Sequence, residues 1–448
     1  MSANNATPPT RVLSVDAFRG FVMLLMMAEV LQLWSVSQYF PYDDFAGEFW
    51  ATIKFHTTHV EWGGCSLHDL IQPSFTFLVG VSLPFSIAQR EERGQGFWKM
   101  LLHAAGRSLL LILIAFFLRS IGRSSTNFMF TDTLGQIGLG YTILFVIAYF
   151  AQKAKGAMSW ALPWGSLALL LIGYWALFAF YPLPADDFDY KTVGVSDAWR
   201  RQHSYDGFMA HWNKNTNPAM DFDRWWLNQF PRERRISPQA QVASTVGLLA
   251  SPMGPLVATT SVHPGSTEKT FAYESGGYAT LSFIPTLGTM ILGLIAGFWL
   301  RRDWSNWTKL GAFLAAGVAG ILLGMGLEVA GICPSVKRIW TPAWTIYSGG
   351  WTFLILAGFY FVIEVIGFWQ WSFPLLVLGA NSIVAYCSNA IFRSFISATW
   401  RTHLGADTFR YFDTPEVRWE QPLIGLAVLV TLWLMLFWMY RNKIFVRI

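Results

Sequence analysis

Long apolar runs separated by polar connectors recur along almost the whole chain. A helix needs roughly 20 apolar residues to cross a bilayer, and about ten runs approach that length. Because a lipid-embedded backbone must satisfy its own hydrogen bonds, these runs predict helices. They are centred on residues 20–36, 70–88, 101–121, 134–151, 159–181, 281–300, 308–327, 345–367, 373–397 and 422–440. The predicted fold class is all-α, a polytopic membrane helical bundle of about ten transmembrane helices.

One interval, residues 182–280, has a different composition, rich in charged residues, Trp, Pro and Gly. Loops of this length are usually functional or form a small domain. The predicted organisation is therefore an N-terminal tail at 1–13, a first bundle half at 14–181, a long extracytoplasmic loop at 182–280 and a second bundle half at 281–448. The loop is expected to cap the bundle near the connector formed by residues 37–69.

Charge is scarce, at 13% of residues against 53% apolar residues. The basic residues lie mainly at helix ends on one side, which by the positive-inside rule predicts cytoplasmic N- and C-termini in a cell inner (plasma) membrane. The net charge of +5 is not gathered in one patch, so it does not indicate nucleic-acid binding. Four basic residues oppose the predicted orientation because they fall on the other side: Arg119, Arg123, Lys337 and Arg338.

The stretch from His56 to Gly80 is the default site, because it places three histidines and two carboxylates at the mouth of an apolar helix. Unpaired charge so close to hydrocarbon is costly, which favours a polar task. Asp69 either caps the following helix, where the dipole favours a carboxylate, or orients His59 or His68 through a ring nitrogen. The three scattered cysteines and the absence of metal motifs predict no metal.

Other polar residues interrupt the predicted helices. Asp16 and Arg19 are spaced to share a helical face, either as a neutralising ion pair or with Arg19 turned towards an anionic ligand. Glu29 is expected to face the bundle interior. Gln136 is a candidate site residue, and Asn381 either joins helices or lines the site.

Several motifs in order resemble the heparan-α-glucosaminide N-acetyltransferase family of membrane acyltransferases, including its bacterial members. They are S-V-D-A-F-R-G from Ser14, H-V-E-W-G-G from His59, D-L-I-Q-P from Asp69, and the Trp-Thr-Pro and Gly-Ala-Asn-Ser segments. The resemblance implies transfer of acetyl from cytoplasmic acetyl-CoA to an acceptor across the membrane, with a catalytic histidine at His59. It also implies roles for Asp69, Asp16 and Arg19, and it allows a homodimer. The chain departs from the family where Glu29-Val30 replaces an Asn and where Gln136 replaces an Arg.

These inferences predict an acyl-CoA-dependent N- or O-acetyltransferase that modifies a saccharide or related polar small molecule, in contact with membrane lipid and without nucleic acid or metal. A transporter for a sugar or organic acid is the main alternative, although no repeat relates the two halves. An idle membrane scaffold or sensor is the third. The predicted site comprises catalytic His59 and Asp69, acceptor-binding Glu29, Glu61, Trp62, Gln72, Gln136 and Asn381, and donor-binding Asp16, Arg19, Arg90, Arg107, Arg301 and Arg302.

Overall fold

A computed structural model describes residues 12–40, 44–123, 125–230, 232–233, 268–269 and 271–446. Most of the predicted tail at 1–13 and much of the predicted loop at 182–280 lie outside these ranges. The helices are α1 (Leu13–Ala28), α2 (Phe45–Thr57), α3 (Ile71–Glu92), α4 (Phe97–Ser120), α5 (Thr133–Lys153), α6 (Met158–Ala179), α7 (Asp197–His203), α8 (Pro218–Leu227), α9 (Phe283–Leu300), α10 (Asn306–Val329), α11 (Pro342–Tyr360), α12 (Phe373–Ala380), α13 (Ser382–Leu404) and α14 (Glu420–Arg441).

The helix pattern confirms the predicted polytopic membrane bundle. Within the described residues, eight helices are long and apolar enough to span a membrane, and two bent pairs raise the number to ten. The first pair bends by 40° between Leu13–Leu31 and Leu33–Tyr39, where Gln32 has a left-handed φ of 47°. The second bends by 69° between Gln370–Ala380 and Ser382–Leu404, at Asn381. The predicted run at 373–397 is therefore two helices, because α12 ends at that residue.

The first helix begins at Leu13 and includes Asp16 and Arg19, which are predicted to share one of its faces. Asp16 and Arg19 form an ion pair of 2.9 Å one turn apart, so both charged groups are accommodated inside the helix. The neutralising alternative for this pair is thus present in the structure. Arg19 also donates a hydrogen bond of 2.6 Å to Ser82 on α3, which joins the two helices.

The centre of the bundle is the pair α3 and α9, whose backbones approach through glycine. A Cβ atom on Gly80 would lie 1.9 Å from the carbonyl oxygen of Met290, and one on Gly293 would lie 1.9 Å from that of Phe77. Only glycine permits such an approach, which is common where membrane helices pack. Helix α9 is mostly buried, whereas α4 and α10 leave most of their surface exposed, as expected of lipid-facing helices.

The described part of residues 182–280 lies against the connector that carries His59. It contains α7, α8 and a two-residue antiparallel pair, β1 (Arg232–Glu233) with β2 (Glu268–Lys269). Trp62 of the connector is buried and donates its indole hydrogen to the carbonyl of Trp212, at 3.2 Å. Trp199 of α7 donates to Glu61 at 3.3 Å. These contacts place loop residues next to the candidate site.

Candidate active site

The connector between α2 and α3 holds His59 against a buried carboxylate. His59 Nδ1 lies 2.7 Å from Asp69 Oδ1. The second oxygen, Oδ2, accepts hydrogen bonds from the Ser66 amide at 3.1 Å, the Ser66 hydroxyl at 2.9 Å and the Val60 amide at 3.3 Å. So many donors stabilise the ionised form of Asp69. The predicted contact between Asp69 and a histidine is therefore present, and the histidine is His59.

Two glycines explain the W-G-G part of the motif. Gly64 has a φ of 105°, a conformation that other residues rarely adopt. A Cβ atom on Gly63 would lie 2.1 Å from the Tyr205 hydroxyl oxygen. Gly63 also pairs with Val336 in an antiparallel bridge, which brings the segment after α10 beside the connector. A larger residue at Gly63 would have to move the Tyr205 side chain, and one at Gly64 would be strained by the backbone conformation.

Because of that pairing, the next residue, Lys337, lies beside His59. Its Nζ lies 3.1 Å from Asp69 Oδ1 and 3.1 Å from His59 Nδ1, and the lysine side chain is buried. We assign the ring proton to Nδ1, which donates it to Asp69, because the short contact to a carboxylate requires a donor there. The ammonium of Lys337 then donates to the same carboxylate. The lone pair of the imidazole is left on Nε2, the nitrogen available to act as a base.

The electrostatics favour a neutral imidazole. Burial lowers the pKa of His59 below its ordinary value of 6.5, and Lys337 lowers it further, while Asp69 acts in the opposite direction. A ring that is neutral at physiological pH can accept a proton. Cys65 in the same connector does not compete as a nucleophile, since burial raises the pKa of its thiol to about 12.

His59 opens into a cavity of about 730 Å³, which we call the histidine cavity. The rings of His59 and His68 lie side by side there, with centroids 4.4 Å apart. The cavity carries charge of both signs and three polar aromatic rings, a lining suited to a polar ligand. These lining residues are Glu29, Glu61, Arg119, Asp132, Lys214, Glu274, Lys337, Arg338, Trp199, Tyr278 and Tyr386.

A second cavity, of about 930 Å³, lies on the same helices; we call it the basic cavity. Its lining includes four guanidinium groups, those of Arg19, Arg90, Arg93 and Arg107, together with the ring of His103. Arg107 donates to the Tyr141 hydroxyl at 3.0 Å and lies over that ring, 4.6 Å from its centroid. Clustered guanidinium groups are the usual means by which proteins bind phosphate.

The structure brings together only part of the predicted site. Glu29, Glu61 and Gln72 line the histidine cavity, and Asp16, Arg19, Arg90 and Arg107 line the basic cavity. Arg301 instead donates to the Pro84 carbonyl at 3.1 Å, and Arg302 lies 4.1 Å from the centroid of the Trp160 ring. Neither arginine is among the described residues that line the two cavities.

Three predicted acceptor residues are used in packing. Trp62 lies beneath the loop, as described above. Gln136 is buried, donates to the Phe130 carbonyl at 2.9 Å and accepts from the Thr286 hydroxyl at 3.2 Å. Asn381 binds the C-terminal segment at Ile444 and Val446, each at 2.9 Å. Polar groups buried in an apolar bundle need such partners, so these contacts account for the residues without a ligand.

The chain is similar in sequence to known proteins over nearly its whole length. No family model matches the chain. The chain is 23% identical to human heparan-alpha-glucosaminide N-acetyltransferase over 465 residues, which cover 99% of the chain and 61% of the human protein. The mouse protein of the same name is 23% identical over 468 residues, covering 98% of the chain and 60% of that protein. The chain is a relative of heparan-alpha-glucosaminide N-acetyltransferase. It spans about three fifths of the length of these relatives, and the resemblance inferred from its motifs is confirmed.

The likeness to heparan-alpha-glucosaminide N-acetyltransferase runs through both cavities, because it covers nearly the whole chain. Sequence reasoning nevertheless missed Lys337, Arg338 and Arg119 as site residues. The available signal is their position: Arg119 lies in the last turn of α4 and the other two in the connector after α10, on the side where the positive-inside rule disfavours basic residues. All three line the histidine cavity. Within the described part of the chain, no group of three or more His, Cys, Asp or Glu residues could hold a metal ion.

Proposed function

We propose that this chain is a membrane acetyltransferase that moves an acetyl group from acyl-CoA to a saccharide or related polar acceptor, with His59 as general base and Asp69 as its orienting carboxylate. The observation that carries this proposal is the His59–Asp69 contact of 2.7 Å in a polar cavity that shares its helices with an arginine-lined cavity. The names of the two relatives support an N-acetyltransferase.

In this mechanism His59 Nε2 takes a proton from the acceptor amine or hydroxyl as that group attacks the thioester carbonyl carbon. The new C–N or C–O bond forms, the C–S bond breaks, and the imidazolium returns its proton to the departing CoA thiolate. Asp69 stabilises the imidazolium and fixes the ring. Transfer through an acetylated His59 is the other route, in which the ring itself attacks the thioester. Trapping a labelled acetyl-enzyme without acceptor distinguishes the two.

The proposal places CoA at the basic cavity, where Arg19, Arg90 and Arg107 face the phosphates while the uncharged arm extends into the bundle. A charged group is costly to carry through lipid, so the donor keeps its phosphates at one end. Val446 near the C-terminus and Asp16 near the N-terminus line the same cavity. We therefore propose that both termini and the donor share the cytoplasmic side of the inner (plasma) membrane, and that the acceptor enters from the other side.

The test is acetyl transfer from labelled acetyl-CoA to envelope glycans by purified protein, comparing the parent with His59→Ala. Removing a positioned general base is expected to lower the transfer rate about 100-fold to 10,000-fold. His56→Ala is the matched control, because its ring accepts a hydrogen bond from the Leu67 amide at the exposed surface. Transfer by folded His59→Ala at the parental rate would exclude His59 as the base.

One observation favours the transporter as a second candidate: two broken spans occur in the two halves of the chain, at Gln32 and Asn381. Broken helices are common at transporter binding sites. Uptake of a labelled sugar or organic acid into sealed vesicles without CoA would support this function. If His59 has no part in transport, uptake should continue in the His59→Ala variant.

A further inference from the structure

The two cavities lie end to end inside one ring of helices. Each of α1, α3, α4, α5 and α13 lines the basic cavity over one part of its length and the histidine cavity over another. On α1 the change falls between Arg19 and Met23, and on α13 between Ile383 and Tyr386. At a rise of about 1.5 Å per residue, these changes span only about 5–6 Å along each helix. On α4 the interval is wider, from Leu110 to Arg119, and on α5 it runs from Thr133 to Tyr141. The layer between the cavities is therefore thin on the side formed by α1, α3 and α13.

Phe75 lies in that layer, since it is the one described residue that lines both cavities. It is on α3, with Gln72 one turn away in the histidine cavity and Val79 one turn away in the basic cavity. The side chain is buried, with 7% of the residue exposed. Its ring thus borders both spaces.

We propose that the phenyl ring of Phe75 is the partition between the basic and histidine cavities, and that it turns aside to admit the acyl arm of the donor. This inference rests on the proposed function for the identity of the arm. The neighbouring wall can give way, because Met23 and Met26 line the histidine cavity beside it, and methionine is unbranched and adaptable. A phenyl ring needs only a change of χ1 to move to another staggered position.

In this proposal, the Phe75 ring keeps the donor thioester apart from the histidine cavity until transfer. The histidine cavity holds the base His59, whereas a thioester waiting in the basic cavity must be kept from water that this base has activated. Water attacking the carbonyl carbon would break the C–S bond and yield acetate and the free CoA thiol without transfer. A ring at Phe75 excludes that water until the arm itself displaces the ring, in the way that closed active sites suppress side reactions.

The first experiment measures the partition without donor or acceptor. Reporter cysteines replace Met26 in the histidine cavity or Ser86 in the basic cavity, in a background where Cys65, Cys333 and Cys387 are alanine. Sealed right-side-out and inverted vesicles are treated with a small membrane-impermeant methanethiosulfonate. In the parent, each reporter is expected to react from one face only, and from opposite faces for the two positions.

Phe75→Leu and Phe75→Ala are expected to abolish this sidedness, so that each reporter reacts from both faces. Phe77→Leu is the matched control: it is the same substitution on the same helix, but Phe77 is in the core against Phe353, with ring centroids 4.9 Å apart. Sidedness retained in folded Phe75→Ala, or already absent in the parent, would overturn the partition. Size-exclusion profiles and thermal melting verify that each variant is folded.

A second measurement separates the partition from the proposed function. Acetyl-CoA hydrolysis without acceptor is expected to rise in Phe75→Leu and to stay at the parental rate in Phe77→Leu. Loss of sidedness with no acetyl-CoA turnover in any variant would uphold the partition and reject the acetyltransferase. Turnover by the parent, with sidedness unchanged in Phe75→Ala, would uphold the enzyme and reject the partition.

Discussion

The histidine cavity and the basic cavity are lined by the same helices, but the charges that line them differ. The histidine cavity mixes charges of both signs, and its key groups are bound to one another, as in the His59–Asp69–Lys337 cluster. The basic cavity is dominated by cations. Opposite charges that are hydrogen-bonded to a histidine set its pKa, whereas clustered cations attract an anion. In the proposed mechanism, the chain therefore separates chemistry from donor binding along the length of its helices.

After the loss expected in His59→Ala, the next largest effect concerns the basic cavity. Arg107→Met keeps much of the side-chain volume but removes the charge. A hydrogen bond to a charged group contributes about 1.5–3 kcal/mol, so the KM for acyl-CoA should rise about tenfold or more while kcat changes little. Raising the salt concentration should weaken the parent in the same direction. Steady-state kinetics at two ionic strengths measure both effects.

Arg302→Met is the control for that comparison, because its guanidinium lies over the Trp160 ring outside the cavity. The same loss of charge there should leave the KM for acyl-CoA at the parental value. A fall in kcat in Arg107→Met with an unchanged KM would break the division, since the basic cavity would then take part in the chemical step.

A smaller effect is expected from Lys337 in the histidine cavity, and it depends on pH. A neutral imidazole is the active base, so kcat/KM should fall only as the pH drops through the His59 pKa, which lies below the ordinary 6.5. Burial is the main cause, and Lys337 is the second. Lys337→Met removes that positive charge, so the pKa should rise and the acid limb should move to higher pH.

The loss in Lys337→Met should therefore be a few-fold near pH 6 and disappear near pH 8, where the ring is neutral in both proteins. Lys337→Arg keeps the charge and should retain the parental acid limb. A uniform loss at all pH values would mean that the lysine holds the connector in place and does not tune the base. The pH dependence of kcat/KM for both variants decides between these roles.

The sequence predicts a feature well when the residues that form it are close together along the chain, and poorly when they are far apart. The helices can be predicted from apolar runs, which are local. The similarity to heparan-alpha-glucosaminide N-acetyltransferase can be predicted from short motifs that occur in the same order. The contact between His59 and Asp69 was one of two alternatives, because ten residues of irregular connector fix no geometry. Lys337 reaches them across 278 positions through the bridge at Gly63. No local pattern encodes a contact of that range.

Three residues predicted at the acceptor have packing partners in the structure. Gln136 and Asn381 are predicted there because polar groups in apolar helices often serve ligands, and Trp62 because it lies in the stretch from His56 to Gly80. Each instead satisfies a buried backbone group, which is an equally good reason for a polar side chain in a membrane bundle. Sequence alone cannot separate these reasons, since both require only that a partner exists. Of the four basic residues that oppose the charge rule, Arg119, Lys337 and Arg338 line the histidine cavity.

The smallest effect on chemistry is expected for Asn381→Ala. Asn381 is buried at the break between α12 and α13, and its amide holds Ile444 and Val446 of the C-terminal segment. Losing these bonds should lower the free energy of unfolding by about 1–3 kcal/mol. The kinetic constants for both substrates should remain near parental values. Thermal melting and steady-state kinetics on the same preparation measure the two effects.

The control is Asn442→Ala, which removes an amide that donates only to the Trp438 carbonyl of its own helix, at 2.8 Å, on an exposed surface. It should change stability less. The neighbours Gly379, Ala380 and Ser382 line the basic cavity, so a selective rise in the KM for acyl-CoA would move Asn381 to the donor end. A selective rise in the acceptor KM would instead restore the role inferred from sequence.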